Sequence, residues 1–232
     1  MTIASARVEA DRDVEVTASV KDAETPAADL TYAWSASPKN GVFTGTGATV
    51  TWRPPKGETT PDQYTITLTV TERFTSAGQA KQNVVSSSAT VAYNDSPAET
   101  IGLAVQFLTD YGTYETTAEY CVRNFSDSCR GKAKEQQEIA EDREDVRIFS
   151  AAFTAPPAAL LNAALTQGSV RGPCEFIDTD KSGPFAGRKR SVKGTCILTT
   201  VYQGGRWYLC DSFLESSEKV FLTFRERHRL TR

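Results

Sequence analysis

One carboxylate stands out as a group that could do chemistry. In Cys196-Ile-Leu-Thr-Thr-Val-Tyr-Gln-Gly-Gly-Arg-Trp-Tyr-Leu-Cys-Asp211, the pair Gly204-Gly205 reads as a two-residue hairpin turn. That turn places Cys196, Leu198, Thr200 and Tyr202 on one face with Trp207, Leu209, Asp211 and Phe213. Asp211 is then a carboxylate on a mainly apolar face. If that face lines a pocket, burial should raise its pKa, as a general base requires. The bland alternative is a carboxylate at the mouth, hydrogen-bonded to Tyr or Arg. Asp110, Tyr111, Tyr114 and Arg123 could reach the same mouth. The ligand-pocket candidates are therefore Asp110, Tyr111, Tyr114, Arg123, Trp207, Asp211 and Phe213, with Asp211, Tyr111 and Tyr114 as the catalytic candidates.

Other chemistries are poorly supplied. The single histidine, His228, sits in the C-terminal tail, which argues against a Ser-His-Asp or Cys-His triad and a histidine-based metal site. Asp178-Thr-Asp-Lys-Ser-Gly183 imitates the start of a calcium loop, but its twelfth position is Lys189 rather than a bidentate Glu; a polar hairpin tip is the better reading. No metal and no cofactor is expected. The five cysteines lack CxxC spacing. Cys121 and Cys129 bracket one short helix and its exit, while Cys174 and Cys196 lie on strands able to pair through the 179–190 loop. Two disulfides, with Cys210 left as a buried thiol, would suit an oxidising compartment. Five reduced, mostly buried thiols are the alternative.

The elements that must position these groups fall into two halves that meet at Ser96-Pro97. A chain of 232 residues allows two domains, each large enough for a core. The net charge of −3 argues against a general polyanion binder. The basic tail, 219–232, reads as a solvated end, so no nucleic-acid partner is expected. No apolar run approaches the ~20 residues that span a bilayer. The chain enters β-like sequence almost at once, as a mature fragment stripped of a signal or lipoprotein leader would; a lipid anchor upstream is compatible with this.

Period-two runs mark the first half. Val14, Val16, Ala18 and Val20 alternate with polar residues, as do Leu30, Tyr32 and Trp34, then Ala48, Val50 and Trp52. Tyr64, Ile66, Leu68 and Val70 face away from Thr65, Thr67, Thr69 and Thr71, and Val84-Val85 and Ala89–Tyr93 supply a last strand or two. Turns at 38–41, 45–47, 54–57 and 61–62 separate these runs, a spacing that points to a β-sandwich. Trp34, Trp52 and Tyr64 are read as core, with the Tyr64 hydroxyl tied back to a loop backbone. Leu30-Thr-Tyr-Ala-Trp-Ser-Ala-Ser37, Gly45-Thr-Gly47, Trp52-Arg-Pro-Pro55 and Asp62-Gln-Tyr-Thr-Ile-Thr-Leu-Thr-Val70 together resemble a PKD or related bacterial immunoglobulin-like domain. The usual glycine-aspartate turn after the tryptophan is replaced by Ser35-Ala-Ser-Pro-Lys-Asn-Gly41, so the wider immunoglobulin-like label fits better. The resemblance implies a spacer or adhesive module on an exported protein.

Helical spacing follows Ser96-Pro97, with Ile101, Ala104, Val105, Leu108 and Tyr111 as the stripe and Leu103 and Phe107 widening it. Thr116-Thr-Ala-Glu119 reads as a capping box, with Thr116 at the N-cap, opening a second helix that carries Tyr120, Val122 and Phe125. Gly131 breaks the chain. A third helix, 132–145, presents Lys134, Glu135, Glu138, Glu141 and Arg143 as a solvated face. Strands are predicted over 146–155, 164–178, 191–202 and 206–213, giving an α+β domain. The hairpin 196–211, after Phe107-Leu-Thr-Asp-Tyr111 and Phe125-Ser-Asp127, resembles a nuclear transport factor 2-like (SnoaL-like) domain. That resemblance implies a cystatin-like cone, a bent sheet wrapped around long helices and often holding a pocket, sometimes dimerised through the open sheet face.

The fold class expected is thus an all-β immunoglobulin-like sandwich over 1–95, then an α+β cone over 96–218 with three helices packed on a strongly bent antiparallel sheet, then the basic tail. The function expected is non-catalytic: an exported, extracytoplasmic binding or scaffolding protein whose cone takes a small amphipathic ligand or a protein partner. The alternative is a small lyase, isomerase or hydrolase with its pocket around Asp211.

Overall fold

Alternating apolar residues in the first 95 positions do form strands, and their pairing builds two sheets. A computed structural model describes residues 1–184, 186–215 and 221–222. The basic tail, with His228, lies outside the described residues apart from 221–222. The chain divides into two units, Met1–Asp95 and Ser96–Arg232.

The first unit contains β1 (Thr2–Ile3), β2 (Arg7–Glu9), β3 (Val14–Thr17), β4 (Thr31–Ser37), β5 (Val42–Thr44), β6 (Thr49–Arg53), β7 (Asp62–Ser76) and β8 (Gln79–Asn94). One sheet runs β1-β3-β6-β5 and the other β2-β8-β7-β4. Pairing is antiparallel except for β2 against β8. Val16, Val50 and Trp52 of the first sheet share one core with Val8, Tyr64, Ile66, Val91 and Tyr93 of the second. Each buried side chain of this size contributes about 1.5–3 kcal/mol of transfer free energy.

Two aromatic assignments differ from expectation. Trp34 is only half-buried, donating Nε1–H to the Gly47 carbonyl, whereas Trp52 is fully enclosed and donates to the Asn40 carbonyl at 2.8 Å. The hydroxyl tied to a loop is that of Tyr93, which donates to the Pro55 carbonyl at 2.7 Å; the Tyr64 hydroxyl makes no such bond. Gly41 permits the Trp52 arrangement, because at φ +64° it lets the backbone lie where any Cβ would strike the Arg53 carbonyl.

The second unit opens with α1 (Ser96–Gly112), a single turn α2 (Ala118–Cys121) and α3 (Gly131–Asp145), followed by β9 (Val146–Phe153), β10 (Ala158–Leu161), β11 (Gln167–Asp180), β12 (Lys189–Gln203), β13 (Arg206–Glu215) and β14 (Phe221–Leu222). The antiparallel sheet is ordered β10-β11-β12-β13-β14, with β9 also paired to β11. On α1, Ala104, Phe107, Leu108 and Tyr111 face the core. Phe125, Ile139, Val170, Phe176, Leu198, Leu209 and Leu214 complete it.

The expected fold class, a sandwich of immunoglobulin type followed by a helical cone, is corrected. The chain is mostly β, about 50% strand and 18% helix. Three physical reasons lie behind the difference. First, β7 and β8 pair continuously from Asp62–Tyr93 to Ser76–Gln79, far past the end of β4 at Thr71. Second, the predicted second helix is one turn, capped by Thr117 rather than Thr116 through a bond from the Tyr120 amide. Third, β11 and β12 are long, and β10 is a strand absent from the sequence reading. Gly131 does not break the chain; it begins α3.

Candidate functional site

The polar groups of the second unit are engaged with one another. Gly204-Gly205 does make the turn, with both residues at positive φ and Gln203 paired to Arg206. The register holds to Thr200–Leu209 and then slips, so that Thr199 pairs with Asp211. This bulge at Cys210 reverses which residues face inward. Ser212 and Leu214 join Trp207 and Leu209 on the buried face, while Asp211 and Phe213 turn away from it. Asp211 then pairs with Lys134 of α3 at 3.3 Å, and the Lys134 ammonium lies 5.4 Å from the Phe213 ring centroid.

The bulge has a visible cause. Segment 124–126 docks beside β13, with the Leu209 amide donating to the Asn124 carbonyl and the Ser126 amide to the Leu209 carbonyl. Cys129 is disulfide-bonded to Cys210, and Gly131 is pressed so close that a Cβ there would collide with the Cys210 carbonyl oxygen. The expected Cys121–Cys129 pair is corrected accordingly: Cys121 is a buried thiol contacted by Arg143, and Cys210 is the residue bonded. Burial pushes the Cys121 thiol up, so it is a poor nucleophile. Cys174–Cys196 forms as the strand pairing predicts, two positions off register across β11 and β12.

Arg143 joins two of the other candidates, donating to the backbone carbonyls of both Asp110 and Tyr111. Asp110 is bound by Arg123 and accepts from Gln106 at 2.9 Å, and Arg123 lies over the Tyr120 ring. Tyr111 is fully buried and donates its hydroxyl to Asp142 at 2.6 Å. Tyr114 sits under Lys181 and Arg147, 5.0 and 5.6 Å from its centroid. The indole of Trp207, itself buried, donates to Ser96 at 2.8 Å. Asp178 and Asp180, the imitation calcium ligands, both hold Arg190, at 2.7 and 3.1 Å.

A carboxylate expected on a solvated face is strongly perturbed. Glu135 is 0% exposed. It shares the inner face of α3 with Ile139 and Asp142, the i, i+4, i+7 positions. Burial, first of all, pushes its carboxyl up to about 8; the Ser212 hydroxyl offsets this in part, and Glu138 adds to it. Neither Glu135 nor Ser212 closes a hydrogen bond of normal geometry, and the Thr200 hydroxyl on the neighbouring strand is likewise buried without one. A carboxyl held neutral near pH 7 can serve acid–base chemistry, but such chemistry needs room for a substrate. Phe107, Tyr111, Phe125 and Phe176, each at most 1% exposed, fill the interior instead. The signal available in sequence was faint: Glu135, Ile139 and Asp142 form a helical stripe with one apolar member.

Two open spaces are bordered by described residues. A groove of about 400 Å³ runs between Val105, Leu108 and Thr109 of α1 and the segment holding Phe153, Pro156 and Pro157. In the first unit a cavity of about 550 Å³ is bordered by Leu30, Leu68, Val70, Val84 and Val85.

No protein-family model matches the chain, and no curated protein does. Two solved structures are similar to parts of it. The intermembrane space region of the chloroplast protein ARC6 is 13% identical, with a TM-score of 0.37, covering 52% of this chain and 95% of its own. An NTF2-like protein involved in plasmid conjugation is 10% identical, with a TM-score of 0.31, covering 77% of this chain and 74% of its own. At such scores neither establishes a shared fold or function.

Proposed function

We propose that the chain is a non-catalytic, extracytoplasmic binding or scaffolding protein that works through its surfaces, with a protein as its partner. The observation carrying this reading is the packing of Phe107, Tyr111, Phe125 and Phe176 against one another in the core of the second unit. The aromatic side chains packed there leave the ligand half of the expectation without support, and the polar candidates are held by other protein groups: Asp110 by Arg123, Tyr111 by Asp142, Asp211 by Lys134. The two disulfides accord with an oxidising compartment. No helix among the described residues is long and apolar enough to cross a membrane. An enzymatic reading built on Asp211 draws no support from its ion-paired position on the outer side of β13.

The groove beside α1 is the surface on which to test this. Val105 is exposed and Phe153, Pro156 and Pro157 face it, a lining suited to a short apolar segment of a partner. A photo-crosslinking residue at Val105, in the natural host, should yield discrete protein adducts, and Val105→Asp should remove partner binding while Asp211→Asn leaves it unchanged. Absence of adducts, together with a turnover abolished by Asp211→Asn, would overturn the proposal.

A further inference from the structure

We infer that the open edge of β8 is a self-association surface, through which two copies of this chain pair antiparallel and merge their sheets. The observation is independent of the groove and of the second unit. Strand β8 pairs along its whole length with β7 on one side. On the other side β2 reaches only Ala92–Asn94. Among the described residues no strand takes the edge from Gln79 to Val91. Gln79 through Ser88 are exposed without interruption, on both faces of the strand.

An edge of this length presents a row of backbone donors and acceptors able to template another strand. Proteins that avoid such pairing place charges, prolines or bulges on the edge. Here the register runs without a bulge, no proline occurs, and Lys81 is the only charged residue from Gln79 to Tyr93. Val84 and Val85, 53% and 69% exposed, add an apolar side chain on each face. The tip beyond Thr71, where β4 ends, is a two-stranded ribbon, and such ribbons are marginal in water without a further strand.

The occupant is argued from charge and side-chain size. In an antiparallel pairing with its two-fold axis near Val85–Ser87, Val84, Val85 and the serines 86–88 lie opposite one another. Lys81 of each copy then falls opposite the uncharged segment 89–91 of the other, so no like charges meet. A strongly charged foreign strand would find a single charge to match. β2 sets the limit of the new ladder by covering the edge from Ala92 onward.

Sedimentation of the full oxidised chain should show a concentration-dependent dimer. Val84→Lys with Val85→Lys, at positions too exposed to unsettle the core, should raise the dimer dissociation constant about tenfold or more, ~1.4 kcal/mol or above. Ser87→Cys should form a covalent dimer on mild oxidation, since Cys121 is buried and the other cysteines are bonded. Thr44→Cys, on the opposite sheet, should not. A monomer at the highest soluble concentration, a dimer indifferent to the lysines, or equal crosslinking through Thr44→Cys would overturn the inference.

Discussion

At the scale of single residues, Glu135 is the group whose behaviour depends most on its surroundings. Its folded pKa stands near 8, above the usual 4.5, because burial disfavours the charged form. The folded state therefore binds a proton that the unfolded state releases. The stability contributed by the neutral acid is fully present below about pH 4.5, declines as pH rises and is gone above about pH 8. The range of that decline is roughly 4–5 kcal/mol at most. Glu135→Gln keeps the shape and removes the titration. Its denaturation midpoint should match or slightly trail the parent at pH 5 and exceed it at pH 9. If the two proteins lose stability in parallel across this range, Glu135 is not the titrating group. Sequence alone marks it only faintly: a Glu with Lys134, Glu138 and Glu141 beside it reads as solvent-facing, and only the middle position of its stripe, Ile139, is apolar.

At the scale of elements, the join between α3 and β13 decides the register of the second unit. Gly131 lies against the Cys210 carbonyl and admits no Cβ. Gly131→Ala, which in a free helix would gain ~1 kcal/mol, should instead lower stability by about 2 kcal/mol or more, since backbone must move. Chemical denaturation compares the two directly. The Cys129–Cys210 bond spans 81 positions and Cys174–Cys196 spans 22. Chain-entropy reasoning assigns about 4–5 kcal/mol to the longer closure and about 3–3.5 to the shorter. Replacing both members of the longer pair by Ala should therefore cost more, and non-reduced peptide mapping should find Cys129 joined to Cys210. Local patterns made much of this legible. The Gly204-Gly205 turn, the Cys174–Cys196 pairing and the Ala104, Leu108 and Tyr111 part of the α1 stripe follow from spacing, whereas Val105 is exposed. The bulge does not, because it arises from the 124–131 segment docking against β13, a contact distant in sequence. Whether Val84-Val85 and Ala89–Tyr93 make one strand or two is equally open in the sequence, because the outer half of β8 is wet on both faces and shows no alternation. The bulge also moves Asp211 off the face it is expected to share with Trp207 and Leu209, since it adds one residue to β13.

At the scale of the whole molecule, the division at Asp95–Ser96 implies two cooperative units with different sensitivities. The core of the first is built from residues between Val8 and Tyr93, and that of the second from residues between Ala104 and Leu214. Both disulfides belong to the second. Reduction should therefore weaken the second unit and leave the first untouched. The tryptophans allow each to be followed, because Trp34 and Trp52 lie in the first unit and Trp207 in the second. In full-length Trp207→Phe, intrinsic fluorescence reports the first unit alone, and its urea midpoint should be the same with and without reductant. The parent chain should acquire a separate, earlier transition on reduction, carried by Trp207. The fragment Met1–Asp95 should unfold cooperatively at the midpoint seen in full-length Trp207→Phe. A reductant-induced shift in the Trp34 and Trp52 signal, or an unfolded fragment, would mean that the first unit draws its stability from the second, and that the two should be treated as one folding unit.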